Sequence, residues 1–281
     1  MRWREVIAKA SAYLAAKGVD EPAVAAELLA ARLLKCGRGL LAGFAEKEAD
    51  ERRLEAMRRA LARLVRGEPV QYVLGEWDFR KLTLKCDRRA LIPRPETEEL
   101  VTRVLRHLRE GMVVIDVGTG TGAIALSLAA EFQGEATIIA TDVSEDAIQL
   151  ARENAAKCGL AERVKFAVMD GLDEFDEPEC VDILVSNPPY VESAVCETLE
   201  PRVRDFEPRL ALDGGVAGLD FYDRYLADAL NLLKPGGRVF FEIGESQGAA
   251  VAKLMGDYGF AEIAIEQDYA GHDRYALAAL R

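Results

Sequence analysis

Apolar residues recur every three or four positions early in the chain, at Trp3, Val6, Ile7, Ala10 and Leu14, then at Val24, Leu28, Leu29 and Leu33. That spacing aligns them on one face of a helix. A third helix is predicted over about residues 51–66, with Leu54, Met57, Leu61 and Leu64 on one side. These stretches read as a small helical bundle in which packing accounts for every residue named. Between residues 77 and 92 the pattern changes to alternation, with Phe79, Leu82, Leu84 and Cys86 as apolar positions, which predicts a hairpin linker. Pro95 then opens a helix whose first turn carries Glu96, Glu98 and Glu99, where the helix dipole favours acids. Compact apolar runs follow at residues 113–117, 136–141, 165–169, 181–185 and 238–243, separated by helical stretches, with Tyr275-Ala276-Leu277-Ala278 as the last strand. This alternation predicts an α/β fold with a mainly parallel, doubly wound sheet. The expected organisation is a helical domain over 1–76, a hairpin linker over 77–94 and the α/β domain over 95–281.

The strand predicted at 181–185 runs into Asn187-Pro188-Pro189-Tyr190. Neither proline can extend a sheet, since each lacks an N–H and fixes φ near −65°. The chain therefore leaves the sheet stiffly, at the edge where ligands bind in open α/β sheets. An amide, a free carbonyl and an aromatic ring on a rigid loop suit a planar group bearing an NH2. An ordinary strand-ending turn uses the same Asn-Pro dipeptide.

The strand at 113–117 ends in Gly118-Thr119-Gly120-Thr121-Gly122, and an apolar helical stretch follows at once. Strand, glycine turn and helix form the nucleotide-binding arrangement, in which the backbone approaches a ligand closely. A second strand ends in Asp142, twenty residues beyond Gly122, a spacing that suits a ribose diol. Asp142 also competes with Ser144 to cap the next helix. The glycines run G-x-G-x-G rather than the G-x-G-x-x-G that seats a pyrophosphate. S-adenosylmethionine has no phosphate and carries a sulfonium and an ammonium, so a carboxylate such as Asp116 near the turn fits it better.

Several segments together are similar to the release factor glutamine methyltransferases, over nearly the whole chain. They are Glu27-Leu28-Leu29-Ala30, Gly67-Glu68-Pro69-Val70-Gln71-Tyr72-Val73-Leu74-Gly75, Leu91-Ile92-Pro93-Arg94-Pro95-Glu96-Thr97-Glu98, the two loops above, Glu207-Pro208, Gly218-Leu219-Asp220-Phe221-Tyr222 and Leu233-Lys234-Pro235-Gly236-Gly237. Adenine-N6 methyltransferases share the Asn-Pro-Pro-Tyr loop, whereas the Ile-Pro-Arg-Pro-Glu-Thr-Glu segment resembles the release-factor enzymes specifically. The resemblance implies a Rossmann-like methyltransferase domain and an N-terminal domain that recognises the substrate. Its methyl donor would be S-adenosylmethionine, leaving S-adenosylhomocysteine, and its acceptor the glutamine of a Gly-Gly-Gln loop on class I peptide chain release factors. Asn187, Pro188 and Tyr190 are then the expected catalytic residues, and Pro189 completes the substrate-binding loop. Gly118, Thr119, Gly120, Thr121, Gly122, Asp142, Gly171 and Asn187 are the expected cofactor residues. Gly171 stands where the family often holds a larger side chain beside the adenine. Arg94 and Glu96 are expected either to border the cofactor or to serve only the turn and helix cap, and Glu207 to anchor the loop after the motif or to precede Pro208 in a turn.

The charge balance is acidic: 36 Lys plus Arg against 48 Asp plus Glu, a net −12. Phosphate neutralisation supplies much of nucleic-acid affinity, so this balance disfavours nucleic acid and suits a basic protein partner. Arg52-Arg53, Arg58-Arg59 and Arg88-Arg89 could still form a local basic patch. Five scattered cysteines (Cys36, Cys86, Cys158, Cys180, Cys196) and two histidines (His107, His272) offer no metal-ligand spacing, and no metal is expected. No signal peptide or membrane-length apolar run is read, so cytoplasmic localisation without membrane contact is expected. An adenine-N6 methyltransferase would need a basic, aromatic-lined cleft and a base-recognition domain. A non-catalytic binding module would not need the unbroken Asn-Pro-Pro-Tyr and glycine turn.

Overall fold

The structure, a computed structural model, describes residues 1–172, 175 and 177–281. The chain separates into two compact units, one of Met1–Glu76 with Glu200–Phe206, the other of Trp77–Leu199 with Glu207–Arg281.

In the first unit the periodic stretches form α1 (Trp3–Ala16), α2 (Pro22–Leu34), α3 (Glu51–Val65) and the short α4 (Val70–Leu74). Pro22 opens α2, and the Asp50 side chain caps α3 by accepting from Arg53 N at 2.9 Å. Trp3, Val6, Ala10 and Leu14 of α1 share a core with Met57 and Leu64 of α3. The buried stripe of α2 is Ala25, Ala26, Leu29 and Ala30, while the expected Val24, Leu28 and Leu33 stay half-exposed. Periodicity finds the bulky residues, but small alanines let a helix approach its neighbour closely, so the leucines flank the seam.

The second unit begins in the hairpin β1 (Glu76–Phe79) and β2 (Leu82–Lys85) and continues into α5 (Pro95–His107). Then come β3 (Val113–Val117), α6 (Ala123–Glu131), β4 (Thr137–Asp142), α7 (Glu145–Cys158), β5 (Val164–Val168) and β6 (Val181–Ser186). Short helices α8 (Ser193–Cys196) and α9 (Pro201–Arg204) precede α10 (Asp220–Leu232), β7 (Leu233–Glu242), α11 (Gly248–Asp257), β8 (Ala261–Gln267) and β9 (Asp273–Ala279). Seven strands form one sheet in the order β5-β4-β3-β6-β7-β9-β8. β9 pairs antiparallel with β7 and β8, and the other pairings are parallel.

Successive strand residues face opposite sides. Val114, Ile183 and Phe240 therefore pack under α5 and α6, while Ile115, Leu184 and Phe241 pack under α10 and α11. Two faces covered by helices explain why the central strands read as continuous apolar runs. Asn154 is fully buried and ties β2 to the glycine turn: Lys85 N donates to its Oδ1 at 2.6 Å, and its Nδ2 donates to Thr121 O at 2.9 Å. β7 starts five residues earlier than the apolar run suggests, because Leu233 already pairs with Val181 and the Pro235-Gly236-Gly237 stretch is absorbed as an irregularity. β8 has no counterpart in the apolar pattern.

Candidate active site

Chain order reverses between β3 and β6, and the C-terminal ends of β3, β4, β5, β6 and β7 carry the residues of interest. A cavity of about 390 Å³ lies at this edge, within the range of small-molecule sites. Gly118, Thr119, Gly120, Thr121, Asp142, Gly171 and Asn187 line it together with Arg94, Thr97 and Pro189.

The glycine turn is held from below. Asp116, fully buried, accepts through Oδ2 from Thr119 Oγ at 2.5 Å and from Ala125 N at 3.2 Å. Its Oδ1 is buried with no partner among the described residues, and burial pushes the carboxyl up to about 7. Asp116 is absent from the lining, so it braces the turn and does not face a cationic ligand as the sequence suggested. Gly120 has φ +56°, which carries its N–H to Asp142 Oδ2 at 2.9 Å. Asp142 Oδ1 accepts from Ser144 N at 2.9 Å, and burial holds its pKa above the usual carboxylate range. Capping of α7 falls to Ser144, whose Oγ accepts from Ala147 N at 3.2 Å. The Asp142 carboxylate is thus fixed in place on the cavity wall. Gly122 lies outside the lining; a Cβ there would meet Leu126 and Ala151 at 3.0–3.3 Å, so it seats α6.

At the far end, Gly171 sits under the Arg224 guanidinium, which comes within 3.0 Å of where a Cβ would stand. Arg224 Nη1 pairs with Asp170 Oδ1 at 2.7 Å. A planar cation occupies the space a larger side chain at position 171 would take.

Asn187 follows β6, whose last residue Ser186 donates from Oγ to Val117 O at 2.7 Å and pins the two central strands together. Asn187 Nδ2 donates to Thr97 Oγ at 3.0 Å, and Thr97 Oγ donates to Glu242 Oε2 at 2.7 Å. Pro188 is buried and Tyr190 half-buried, and neither borders the cavity. Burial, reinforced by the nearby Glu242, keeps the Tyr190 phenol neutral. Glu207 is buried and anchors the Ile-Pro-Arg-Pro segment: Oε2 accepts from Ile92 N at 3.0 Å and Oε1 from Arg94 Nη2 at 2.5 Å. Arg94 borders the cavity, whereas Glu96 does not.

Sequence reasoning missed the parts played by Thr97, Arg224, Gln247 and Glu242. Gln247 Nε2 donates to the carbonyls of Tyr190 and Gly218, both at 3.0 Å, and so clamps the loop after Asn187. Only Glu242 left a signal, as an acid inside the apolar run Val239-Phe240-Phe241-Glu242-Ile243.

A parallel sheet that reverses its order beside a glycine turn, with an Asn-Pro-Pro-Tyr loop on the next strand, is the plan of Rossmann-like S-adenosylmethionine-dependent methyltransferases, and residues 108–267 match the family described as "Methyltransferase domain". Residues 5–75 match the "PrmC N-terminal domain". The release factor glutamine methyltransferase of Moorella thermoacetica is 41% identical over 100% of this chain and 99% of its own. That of Chlorobaculum tepidum is 38% identical, with 96% and 94% covered. The chain belongs to the release factor glutamine methyltransferase family.

Among solved structures, that of the E. cuniculi Mtq2-Trm112 complex, responsible for methylation of the eRF1 translation termination factor, aligns with TM-score 0.50 at 23% identity, covering 69% of this chain and 99% of that one. The hMettl16 catalytic domain aligns with TM-score 0.58 at 19% identity, covering 80% and 82%. At these identities the likeness is one of fold.

Proposed function

We propose that this enzyme transfers a methyl group from S-adenosylmethionine to the side-chain amide nitrogen of the glutamine in the Gly-Gly-Gln loop of class I peptide chain release factors. The observation that carries the reading is the Asn187 carboxamide, tied through its NH2 to Thr97 on the wall of a glycine-turn cavity. Its oxygen is left to accept from an incoming amide.

The lining fits the donor from end to end. Asp142 offers a carboxylate oriented by two backbone amides, suited to a ribose diol. Asp170, Gly171 and Arg224 offer an edge acceptor and a flat cation for adenine, and Gly118, Thr119, Gly120 and Thr121 leave room for the methionine end. When bound, S-adenosylmethionine supplies a methyl on a sulfonium, an excellent leaving group.

A carboxamide nitrogen is a poor nucleophile, because its lone pair is delocalised into its carbonyl. The Asn187 oxygen and the Pro188 carbonyl, to which no described residue donates, form an acceptor pair for its two N–H bonds. They hold the nitrogen in line and favour the positive charge that develops on it. Tyr190, kept neutral, packs beside the planar amide. Alignment of this kind is worth effective molarities of about 10⁵ M or more. After transfer the nitrogen loses a proton to water, giving N5-methylglutamine, so no strong base is required.

The N-terminal unit is assigned to recognition of the release factor, and the enzyme to the cytoplasm, where translation ends. At least four of the six arginines that suggested a basic patch are paired with acids, Arg53 with Asp50, Arg58 with Glu51, Arg59 with Glu55 and Arg89 with Asp87 and Glu153, which weakens the nucleic-acid reading.

The test incubates the enzyme and radiolabelled S-adenosylmethionine with intact release factor, with its Gln→Ala variant in the Gly-Gly-Gln loop, and with DNA and rRNA. Label is expected on the intact factor alone, and kcat should fall about 10²–10³-fold in Asn187→Ala. Label on nucleic acid alone overturns the reading in favour of an adenine acceptor.

A further inference from the structure

Register places Glu242 beside Asn187. Ser186 pairs with Phe241, so the next residue on each of these parallel strands stands at the same edge, pointing the same way. Thr97, in the first turn of α5, lies between the two side chains and hydrogen-bonds to both. Thr97 is 5% exposed and Glu242 1%, so water does not compete for these bonds.

A threonine hydroxyl has one hydrogen. Given to an ionised carboxylate, it leaves the oxygen able only to accept, and only the NH2 end of Asn187 can donate to it. We propose that Thr97 and Glu242 are positioning residues for methyl transfer, a buried relay that dictates which end of the Asn187 carboxamide meets the acceptor. The inference rests on the glutamine reading above and adds the device that orients its key acceptor.

The relay has a polarity that a proton reverses. A protonated Glu242 donates to Thr97, Thr97 then gives its own hydrogen to Asn187, and the amide must turn its oxygen inward. The incoming amide would then meet an NH2, donor against donor, and lose one of its two acceptors. Burial pushes Glu242 up to about 7, so the reversal falls near neutral pH. The charged and titratable groups around Glu242 are Arg94 and Glu96 at the start of α5, Tyr190 after β6, Tyr222 on α10, and Arg274 and Tyr275 on β9. Arg94 and Arg274 favour the ionised form and Glu96 opposes it. Burial keeps Tyr190, Tyr222 and Tyr275 neutral, so Glu242 is the member of the group that changes charge near neutrality.

The experiment measures kcat and KM for release-factor methylation from pH 5.5 to 9 in the wild type, Thr97→Val, Thr97→Ser, Glu242→Gln and Asn187→Ala. Calorimetry follows S-adenosylhomocysteine affinity in each. Thr97→Val keeps the shape and removes the hydroxyl; its kcat should fall about 10–100-fold, with KM and S-adenosylhomocysteine affinity within about two-fold of wild type. Thr97→Ser, which retains the hydroxyl, should recover most of the rate. Wild-type kcat should fall on the acid side of about 7, and Glu242→Gln should lose that limb, because a carboxamide does not titrate. Wild-type kcat in Thr97→Val, or an unchanged acid limb in Glu242→Gln, overturns the relay even where Asn187→Ala is inactive. A wild-type enzyme that leaves the release factor unlabelled overturns instead the glutamine reading beneath it.

Discussion

At Asp116 an acid that reads in the sequence as a ligand for a cationic cofactor is sealed under the glycine turn, with one oxygen engaged and the other without a partner among the described residues. Sequence placed it correctly near the turn, one residue before the end of β3, but a side chain there can point into the ligand cleft or beneath the following turn. Only the fold decides. Its burial has a measurable consequence, because the folded-state pKa is raised to about 7 from an ordinary 3.8. Between those values the native state holds a proton that the unfolded chain has released, so stability falls as pH rises through the window. Asp116→Asn removes this dependence. Denaturant unfolding at pH 5 and pH 8 should show the variant gaining on the wild type at the higher pH, by on the order of a few kcal/mol. A difference that stays constant with pH would show that Asp116 does not carry the buried proton. Residues such as Thr97 and Arg224 were illegible for a related reason. Their partners Glu242 and Asp170 are 145 and 54 positions away in the chain, and no local pattern encodes a contact across the sheet edge.

Elements with strong periodicity were legible: α1, α3, α5, the hairpin and every strand from β3 to β7 lie where the apolar pattern put them, within a few residues at their ends. β8 escaped because it is an edge strand with little buried surface, so its residues Ala261, Glu262, Ile263, Ala264, Ile265 and Glu266 carry no sustained apolar run. The support of the Asn-Pro-Pro-Tyr loop was equally hidden. Gly214 N donates to Val191 O at 2.8 Å, and a Cβ at Gly214 would lie 2.6 Å from the Pro189 carbonyl oxygen and 2.8 Å from Tyr190 Cα. Backbone therefore packs on backbone, which only glycine permits. Gly214→Ala must push the loop off its position while leaving the separate turn at Gly118–Thr121 untouched. Steady-state kinetics should show kcat lowered about 10–100-fold, and calorimetry should show S-adenosylhomocysteine affinity nearly retained. Parallel loss of both would mean that the substitution disturbs the whole sheet edge rather than the loop.

For the whole chain, the contacts carry a detail that no composition shift marks: Glu200–Phe206 belongs with the N-terminal unit although it lies between β6 and α10 in the chain. Phe206 approaches Gly67, and Arg202 Nη1 reaches Asp20 Oδ2 at 3.5 Å. Seven residues around one proline look like any loop, and only tertiary packing reveals their allegiance. Among the described residues no helix is long and apolar enough to cross a membrane. The chain carries a net charge of −12, and many of its surface arginines are already engaged by neighbouring acids. The field a partner meets is therefore negative, which accelerates encounter with a basic protein and slows encounter with nucleic acid. Salt screens such a field over about 8 Å at physiological ionic strength, whereas the cavity contacts of a bound cofactor are shorter and partly buried. For a release factor that presents a basic face, raising salt from about 50 to 300 mM should thus increase KM several-fold through the association rate. Neither kcat nor S-adenosylhomocysteine affinity should follow. Stopped-flow association together with steady-state kinetics across that range separates the alternatives. A release-factor KM indifferent to salt would mean that shape and apolar contact, rather than the acidic surface, bring the substrate to the enzyme.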